Sequence, residues 1–232
     1  MPGILYAIPS PLGGTAADAL PASALLTVRS LRDFVVENAK TARAFLKSVG
    51  CDSKEVQIRE LNEKVSVHEL LQPIREQRSL GLLSEAGCPA IADPGALLVD
   101  AAHREGIRVV PLVGPSSIVL ALMASGLEGQ RFAFCGYLPR DPEGRKRKIK
   151  ELEDRSRRER ETQIFIETPY RNDALFASLL EVAASDCLLC VATDLTLRDE
   201  QIRTQSVARW RAGGHMIGKR PTVFLLLAAA AR

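Results

Sequence analysis

The chain has 232 residues, of which 46% are hydrophobic and 25% charged, and its net charge is +3. That composition excludes collagen-like and wholly disordered material, and the small charge excludes a protein whose entire surface coats a polyanion. The longest apolar run, 223–231, has nine residues, where a membrane span needs about 20, so no segment is expected to cross a bilayer.

Along the chain, β-branched runs alternate with helical patterns, the signature of βαβ units and a mainly parallel sheet. Strands are predicted at 4–8, 33–37, 56–60, 79–84 and 107–112, with helices at 22–31, 39–49, 66–77 and 95–105. In the 66–77 segment Val67, Leu70, Leu71 and Ile74 fall at i, i+3, i+4 and i+7, which predicts one continuous helix with an apolar face. The loop Val113-Gly114-Pro115-Ser116 then opens an apolar helix at 117–125. Beyond it, strands are expected at 132–136, 163–167, 187–193, 201–206 and 222–228, with helices at 144–160 and 170–184. No full helix fits between 193 and 201, so at least one antiparallel pair and a mixed sheet are expected there. The predicted fold class is α/β with two α/β domains: 1–113 with a parallel sheet and 114–232 with a mixed one. Five cysteines, an odd number, and the absence of a basic leader before the first apolar run predict reduced thiols in a cytoplasmic protein.

Three Pro/Gly/Ser loops follow predicted parallel strands: Pro9-Ser10-Pro11-Leu12-Gly13-Gly14, Ser84-Glu85-Ala86-Gly87-Cys88-Pro89-Ala90-Ile91-Ala92-Asp93-Pro94-Gly95, and Gly114-Pro115-Ser116-Ser117. Open α/β sheets bind ligands at the carboxyl ends of their strands, so these loops should meet in one pocket of backbone amides and small side chains. Taken singly, the Ser84–Gly95 loop is as readily a crossover with Asp93 as a helix cap. No G-x-x-x-x-G-K-[ST] or G-x-G-x-x-G follows the first strand, which disfavours ATP or NAD in their usual cradles. Cys187 and Cys190 have redox or zinc spacing but lie in an apolar strand without a second pair, and are read as core. His68, His103 and His215 are scattered and form no metal cluster, so no metal is expected; Trp210 and Phe34 are read as packing residues.

The first-strand loop, the Ser84–Gly95 loop, Pro111-Leu112-Val113-Gly114-Pro115-Ser116-Ser117, Gly136-Tyr137-Leu138-Pro139 and Glu167-Thr168-Pro169-Tyr170-Arg171 form a spaced set of five motifs. Together they resemble the tetrapyrrole methylase superfamily of S-adenosylmethionine-dependent methyltransferases, most closely the branch that methylates a cytidine ribose 2′-hydroxyl of small-subunit ribosomal RNA. The resemblance implies two α/β domains with the donor in a cleft between them, a homodimer, and S-adenosylmethionine as cofactor. It places Leu12, Gly13, Cys88, Ile91, Ser116 and Ser117 at donor-binding positions. The sequence departs from the branch at Glu85, at Cys88, at Glu37-Asn38-Ala39-Lys40 and at Pro169-Tyr170-Arg171, and the branch carries a small helical C-terminal domain beyond the point where this sequence stops.

Methyl transfer from a sulfonium is an in-line displacement, helped by orientation and, for a ribose hydroxyl, by a carboxylate that accepts its proton. Glu167, Asp93 and Glu85 are the candidate catalytic residues, each with a loop cap or ion pair as the plainer reading. The 140–161 segment holds ten basic and seven acidic side chains. Within it Arg145, Lys146, Arg147, Lys148 and Lys150 could contact RNA phosphates, or form a solvated helix face with pairs such as Arg147–Glu151. The expected function is methylation of ribosomal RNA. The alternatives are methylation of a tetrapyrrole or other small molecule, and a non-catalytic donor- or RNA-binding protein.

Overall fold

The computed structural model describes residues 2–52, 54–62 and 65–229. The chain forms two compact units, one ending at Ser116 and the other opening at Ser117. In the first, the elements run β1 (Ile4–Ile8), α1 (Ala16–Ala19), α2 (Ala22–Ser30), β2 (Asp33–Val36), α3 (Ala39–Ser48) and β3 (Gln57–Glu60). They continue with α4 (Val67–Leu70), α5 (Gln72–Arg75), β4 (Leu80–Leu83), α6 (Ala96–Arg104) and β5 (Arg108–Pro111). The five strands are all parallel, in the order β3-β2-β4-β1-β5.

Strand alternation divides the core of this unit between the two faces of the sheet. Ile8, Phe34, Val36 and Leu83 pack with α1, α2 and α3, while Leu5, Val35, Leu80 and Leu82 pack with α4, α5 and α6. At the centre the backbone of β4 must come close to both neighbours, because a Cβ on Gly81 would stand 2.7 Å from Ile8 and from Phe34. The adjacent strands β1 and β4 send their connections over opposite faces, so the loops at their carboxyl ends part at a switch point, where such sheets bind ligands.

The expected 66–77 helix is corrected to two short ones, α4 and α5, parted at Leu71. Pro73 is the physical reason: it has no N–H for the helical ladder and its ring crowds the preceding turn. The apolar pattern nevertheless holds, since Leu70, Leu71 and Ile74 are all buried.

The second unit runs α7 (Ser117–Ser125), β6 (Phe132–Tyr137), α8 (Pro142–Glu159) and β7 (Thr162–Ile166), then a 3-10 turn at Pro169–Arg171. It continues with α9 (Asn172–Val182), β8 (Leu188–Thr193), β9 (Gln201–Ser206), α10 (Val207–Gly213) and β10 (Thr222–Leu227). Its order is β6-β7-β10-β8-β9, with β6 parallel to β7 and every other pair antiparallel. The short β8–β9 connection thus closes an antiparallel pair, as its length predicts. Phe165 and Phe224, both fully buried, stack across β7 and β10 at 6.0 Å between ring centroids. Trp210 donates to the Leu189 carbonyl at 2.8 Å and meets Phe176 edge-on at 5.3 Å. Cys187 and Cys190 lie in this core with no accessible surface, as packing residues. Among the described residues no helix is long and apolar enough to cross a membrane.

Helix α8 starts cleanly because the Asp141 side chain accepts from the Gly144 N–H at 2.6 Å and Pro142 supplies a preset first turn. It ends at Arg160, which takes the left-handed conformation. One of its cations does not belong to the exposed cluster. Arg145 is buried, donating to Ser178 Oγ at 2.9 Å and to the Arg140 carbonyl at 3.2 Å, so its charge faces α9 and not solvent. Glu153, also buried, accepts from Lys150, from Arg157 and from the Ala184 N–H, which ties α8 to the end of α9.

Candidate functional site

The three loops expected to converge do meet, and all three junctions are made by the backbone or by small side chains. Ser10 and Gly87 exchange both backbone hydrogen bonds, at 2.8 and 3.0 Å, which sews the loop after β1 to the loop after β4. Ser10 Oγ adds a bond to the Ser84 carbonyl at 2.8 Å. The loop after β5 joins through Cys88, whose thiol donates to the Pro115 carbonyl at 3.4 Å. It also joins through Gly114, where a Cβ would come within 2.5 Å of the Pro9 ring. Leu12 lies beside Gly87, 3.4 Å from where a Cβ on that glycine would be. Gly87 has φ +72°, a left-handed conformation that disfavours any other residue.

The loop after β4 is strained at two further points. Ala90 and Ala92 hold φ of +67° and +64° on either side of Ile91, which is 50% exposed. A left-handed alanine costs about 1–2 kcal/mol, and such strain gathers at ligand sites. Bonds from Ala90 N to the Pro94 carbonyl and from Ile91 N to the Cys88 carbonyl, both at 3.3 Å, hold the turn. The result is an apolar side chain held out beside the loop junction.

Acidic side chains gather at the same sheet edge. Glu37, at the carboxyl end of β2, accepts from the Glu85 N–H at 3.2 Å, and Glu85 accepts from Thr41 Oγ1 at 3.2 Å. Asp93 is half-buried near both. Burial and the Glu37 charge push its carboxyl up to about 6, against a hydrogen bond from Ser84, with Glu85 adding to the rise. Burial and the Asp93 charge also push the Cys88 thiol up, which favours the protonated, weakly nucleophilic form. Sequence reasoning overlooked Glu37 and Ser84 as members of this group. The available signal was position: each is the last residue of a predicted parallel strand, on the edge where the Pro/Gly loops lie.

Of the sequence-predicted residues, the first unit thus brings Leu12, Cys88 and Asp93 to the junction, with Glu85 and Ile91 on the same loop as Cys88. Gly13 and Ser116 lie on the loops so joined. Ser117 opens α7 of the second unit. Glu167 also belongs to the second unit, at the end of β7. Its side chain is fully buried and forms an ion pair with Arg171, and one oxygen accepts from the Thr168 N–H at 2.6 Å. Burial pushes this carboxyl up, but the Arg171 guanidinium and the Thr168 amide outweigh it and hold it below the usual range. Its second oxygen, Oε2, has no hydrogen-bond partner among the described residues. Next to it, the fully buried Asn172 donates to the carbonyls of Gly218 and Arg220 and to Thr222 Oγ1, fixing the loop before β10.

The cations of α8 are largely neutralised within their own unit. Lys146 meets Glu181 at 2.7 Å, Lys148 meets Glu151 at 2.6 Å and Lys150 meets Glu153 at 3.1 Å. The pairing anticipated for Arg147 with Glu151 is made by Lys148 instead, and Arg147 points to solvent.

Known proteins share this architecture, and others are about a third identical over most of this chain. The methyltransferase CobJ superposes with a TM-score of 0.65 at 18% identity, over 99% of this chain and 96% of its own, a likeness of fold. "Ribosomal RNA small subunit methyltransferase I" of Vibrio cholerae is 32% identical over 205 residues, covering 88% of this chain and 69% of that protein. The protein of the same name from Xylella fastidiosa is 33% identical over 195 residues, 84% of this chain and 69% of its own. The model of the tetrapyrrole (corrin/porphyrin) methylases matches residues 15–209, a span that takes in the loop after β4 and strands β2 to β9, and the chain therefore belongs to the tetrapyrrole methylase family.

Proposed function

We propose that this chain transfers a methyl group from S-adenosylmethionine to a ribose 2′-hydroxyl of small-subunit ribosomal RNA. The observation that carries the reading is the three-loop junction with its carboxylates, in a chain similar over most of its length to proteins named as ribosomal RNA methyltransferases. The residues present fit the donor, because its sulfonium and ammonium are cationic and Glu37, Glu85 and Asp93 make this edge anionic. Leu12, Gly13, Cys88, Ile91, Ser116 and Ser117 are the residues that would hold it. When bound, S-adenosylmethionine supplies a methyl already activated for displacement.

The chain's own contribution is then orientation and proton handling. A ribose hydroxyl attacks well only as it loses its proton, and a positioned base is most effective when its pKa lies near the working pH. Asp93, raised to about 6, suits that role better than Glu167, which Arg171 holds in its ionised form. We assign proton acceptance to Asp93, electrostatic support to Glu85, and positioning of Arg171 to Glu167. The same proposal places the protein in the cytoplasm as a homodimer, which sedimentation analysis would test. Exposed apolar side chains such as Leu97, 74% accessible, and Met123, 75% accessible, are surface that a second copy would cover.

The deciding experiment is transfer of labelled methyl to small ribosomal subunits that lack the modification, set against free tetrapyrroles. Alkaline hydrolysis should leave an uncleaved dinucleotide at the labelled position, because a 2′-O-methyl group removes the internal nucleophile. Label on a base, or on a tetrapyrrole alone, would sink the proposed acceptor.

The loop junction itself has a direct test. Gly114→Ala drives a methyl into the rigid Pro9 ring, since the Cβ would stand 2.5 Å away, and overpacking of this kind costs about 1–3 kcal/mol. Calorimetry should show donor affinity falling about 10-fold or more while the secondary structure is kept. An unchanged affinity would separate the junction from donor binding.

A further inference from the structure

We propose that α3, not α8, is the face on which this protein docks the phosphates of single-stranded RNA next to the methylated nucleotide. The inference rests on the reading of the chain as an RNA methyltransferase and adds the surface that would hold the substrate.

Two helices of the structure are rich in cations, and they differ in what surrounds those cations. On α8, Arg145 is buried and Lys146, Lys148 and Lys150 each pair with a glutamate. On α3 the sequence from Ala39 to Ser48 is Ala-Lys-Thr-Ala-Arg-Ala-Phe-Leu-Lys-Ser, with no acidic residue. Its cations, Lys40, Arg43 and Lys47, are exposed, and among the described residues none of the three makes an ion pair. At about 100° per residue they fall within a 60° arc, so they form one stripe about 10 Å long. The opposite face, through Ala42 and Leu46, is buried in the core, which fixes the stripe toward solvent. Like charges at these spacings repel one another on an isolated helix. A polyanion laid along the stripe relieves that repulsion and releases counterions.

The position of the stripe is as informative as its charge. Helix α3 begins just past the carboxyl end of β2, at Asn38, whose side chain caps it by accepting from Lys40 N at 2.9 Å. One turn in, Thr41 bonds Glu85 of the carboxylate group. Lys40 is therefore next to a residue that touches the proposed site, and Arg43 and Lys47 lead away from it. Arg43 also lines a surface cleft of about 550 Å³ with two residues of the edge strand β3, Arg59, which pairs with Asp33 at 3.5 Å, and Glu60, which accepts from the Ala39 N–H at 2.8 Å. A backbone following the stripe would thus carry its neighbouring nucleotide toward Asp93, which matches a strand whose ribose is the acceptor.

The test uses the full chain and two triple variants, K40Q/R43Q/K47Q and R147Q/K148Q/K150Q. Binding of a fluorescein-labelled 12-nucleotide single-stranded RNA, and of isolated small ribosomal subunits, is measured across a range of salt. Each phosphate contact on a single strand contributes about −0.7 to the slope of log K against log salt. The α3 variant should lose about 2 from that slope and at least 10-fold in affinity. The α8 variant should keep the slope of the parent, and donor binding by calorimetry should be the same in all three proteins. An α3 variant with an unchanged slope, or an α8 variant that loses the slope instead, overturns the inference alone. A parent chain that binds donor but neither RNA probe overturns both the inference and the proposed acceptor.

Discussion

Replacing Asp93 with asparagine is expected to lower the turnover of methyl transfer about 10²–10⁴-fold, the range lost when a positioned base is removed. The side chain keeps its shape and its contact with Ser84, so donor affinity should change far less than turnover. In the parent, kcat/KM should rise through a pH of about 6 as the carboxyl ionises, since burial, Glu37 and Glu85 hold it there against the Ser84 hydrogen bond. The variant should show no such limb. A second readout separates chemistry from structure. The folded-state value of Asp93 is raised, so its ionisation works against the fold: the penalty is absent below the unfolded value near 3.8, grows between there and about 6, and is complete above. Asp93→Asn should therefore be more stable than the parent at pH 7.5, by about 1 kcal/mol once solvent screening of a half-exposed group is allowed for, and equal to it at pH 4. A variant that gains this stability and keeps turnover within threefold would show that Asp93 is strained but not the base.

The largest expected effect on stability comes from the second unit. Phe224→Ala removes a fully buried ring from β10, the strand bonded to both β7 and β8 at the middle of the sheet. Truncation of a buried phenylalanine costs about 3–5 kcal/mol. The parallel contact with Phe165 at 6.0 Å is lost as well, and aromatic pairs add about 0.5–1.5 kcal/mol beyond their burial. Phe224→Leu, which keeps most of the volume, should recover more than half of the loss. Because a chain with two units need not unfold in one step, the measurement is native-state hydrogen exchange resolved by strand. Protection should fall in β7, β8 and β10 and stay unchanged in β1, β2 and β4. A loss below about 1 kcal/mol would mean that the core reseals around the gap.

Much of this architecture was legible in the sequence because the strands announce themselves. Runs such as Ile4-Leu5-Tyr6-Ala7-Ile8 and the short 193–201 connection carry the parallel and antiparallel pairings without reference to anything distant. The errors arose where a neighbour in space decides. Pro73 broke a helix whose apolar period was otherwise sound. Helices α1 and α10 are too short to show a period in the sequence. Arg145 looked like its cationic neighbours because nothing in the local sequence reveals Ser178, its partner 33 positions away. The candidate site divides in the same way. The Pro/Gly loops could be read directly, since a loop that cannot continue a helix or strand is visible in its own residues. The gathering of Glu37, Glu85 and Asp93 could not, because it depends on β2 and β4 lying side by side, and it is that proximity which raises Asp93.

Trp210 is the chain's single tryptophan, and its burial against Phe176, with His215 packed edge-on at 5.1 Å, places it wholly within the second unit. Intrinsic fluorescence from this protein is consequently one-sided. Red-edge excitation follows the melting of the β7–β10 core and is blind to the first unit, whose only aromatic phenol is Tyr6. A donor-induced change in that emission would be a signal from the second unit alone, and Phe34→Trp would give the first unit a reporter of its own.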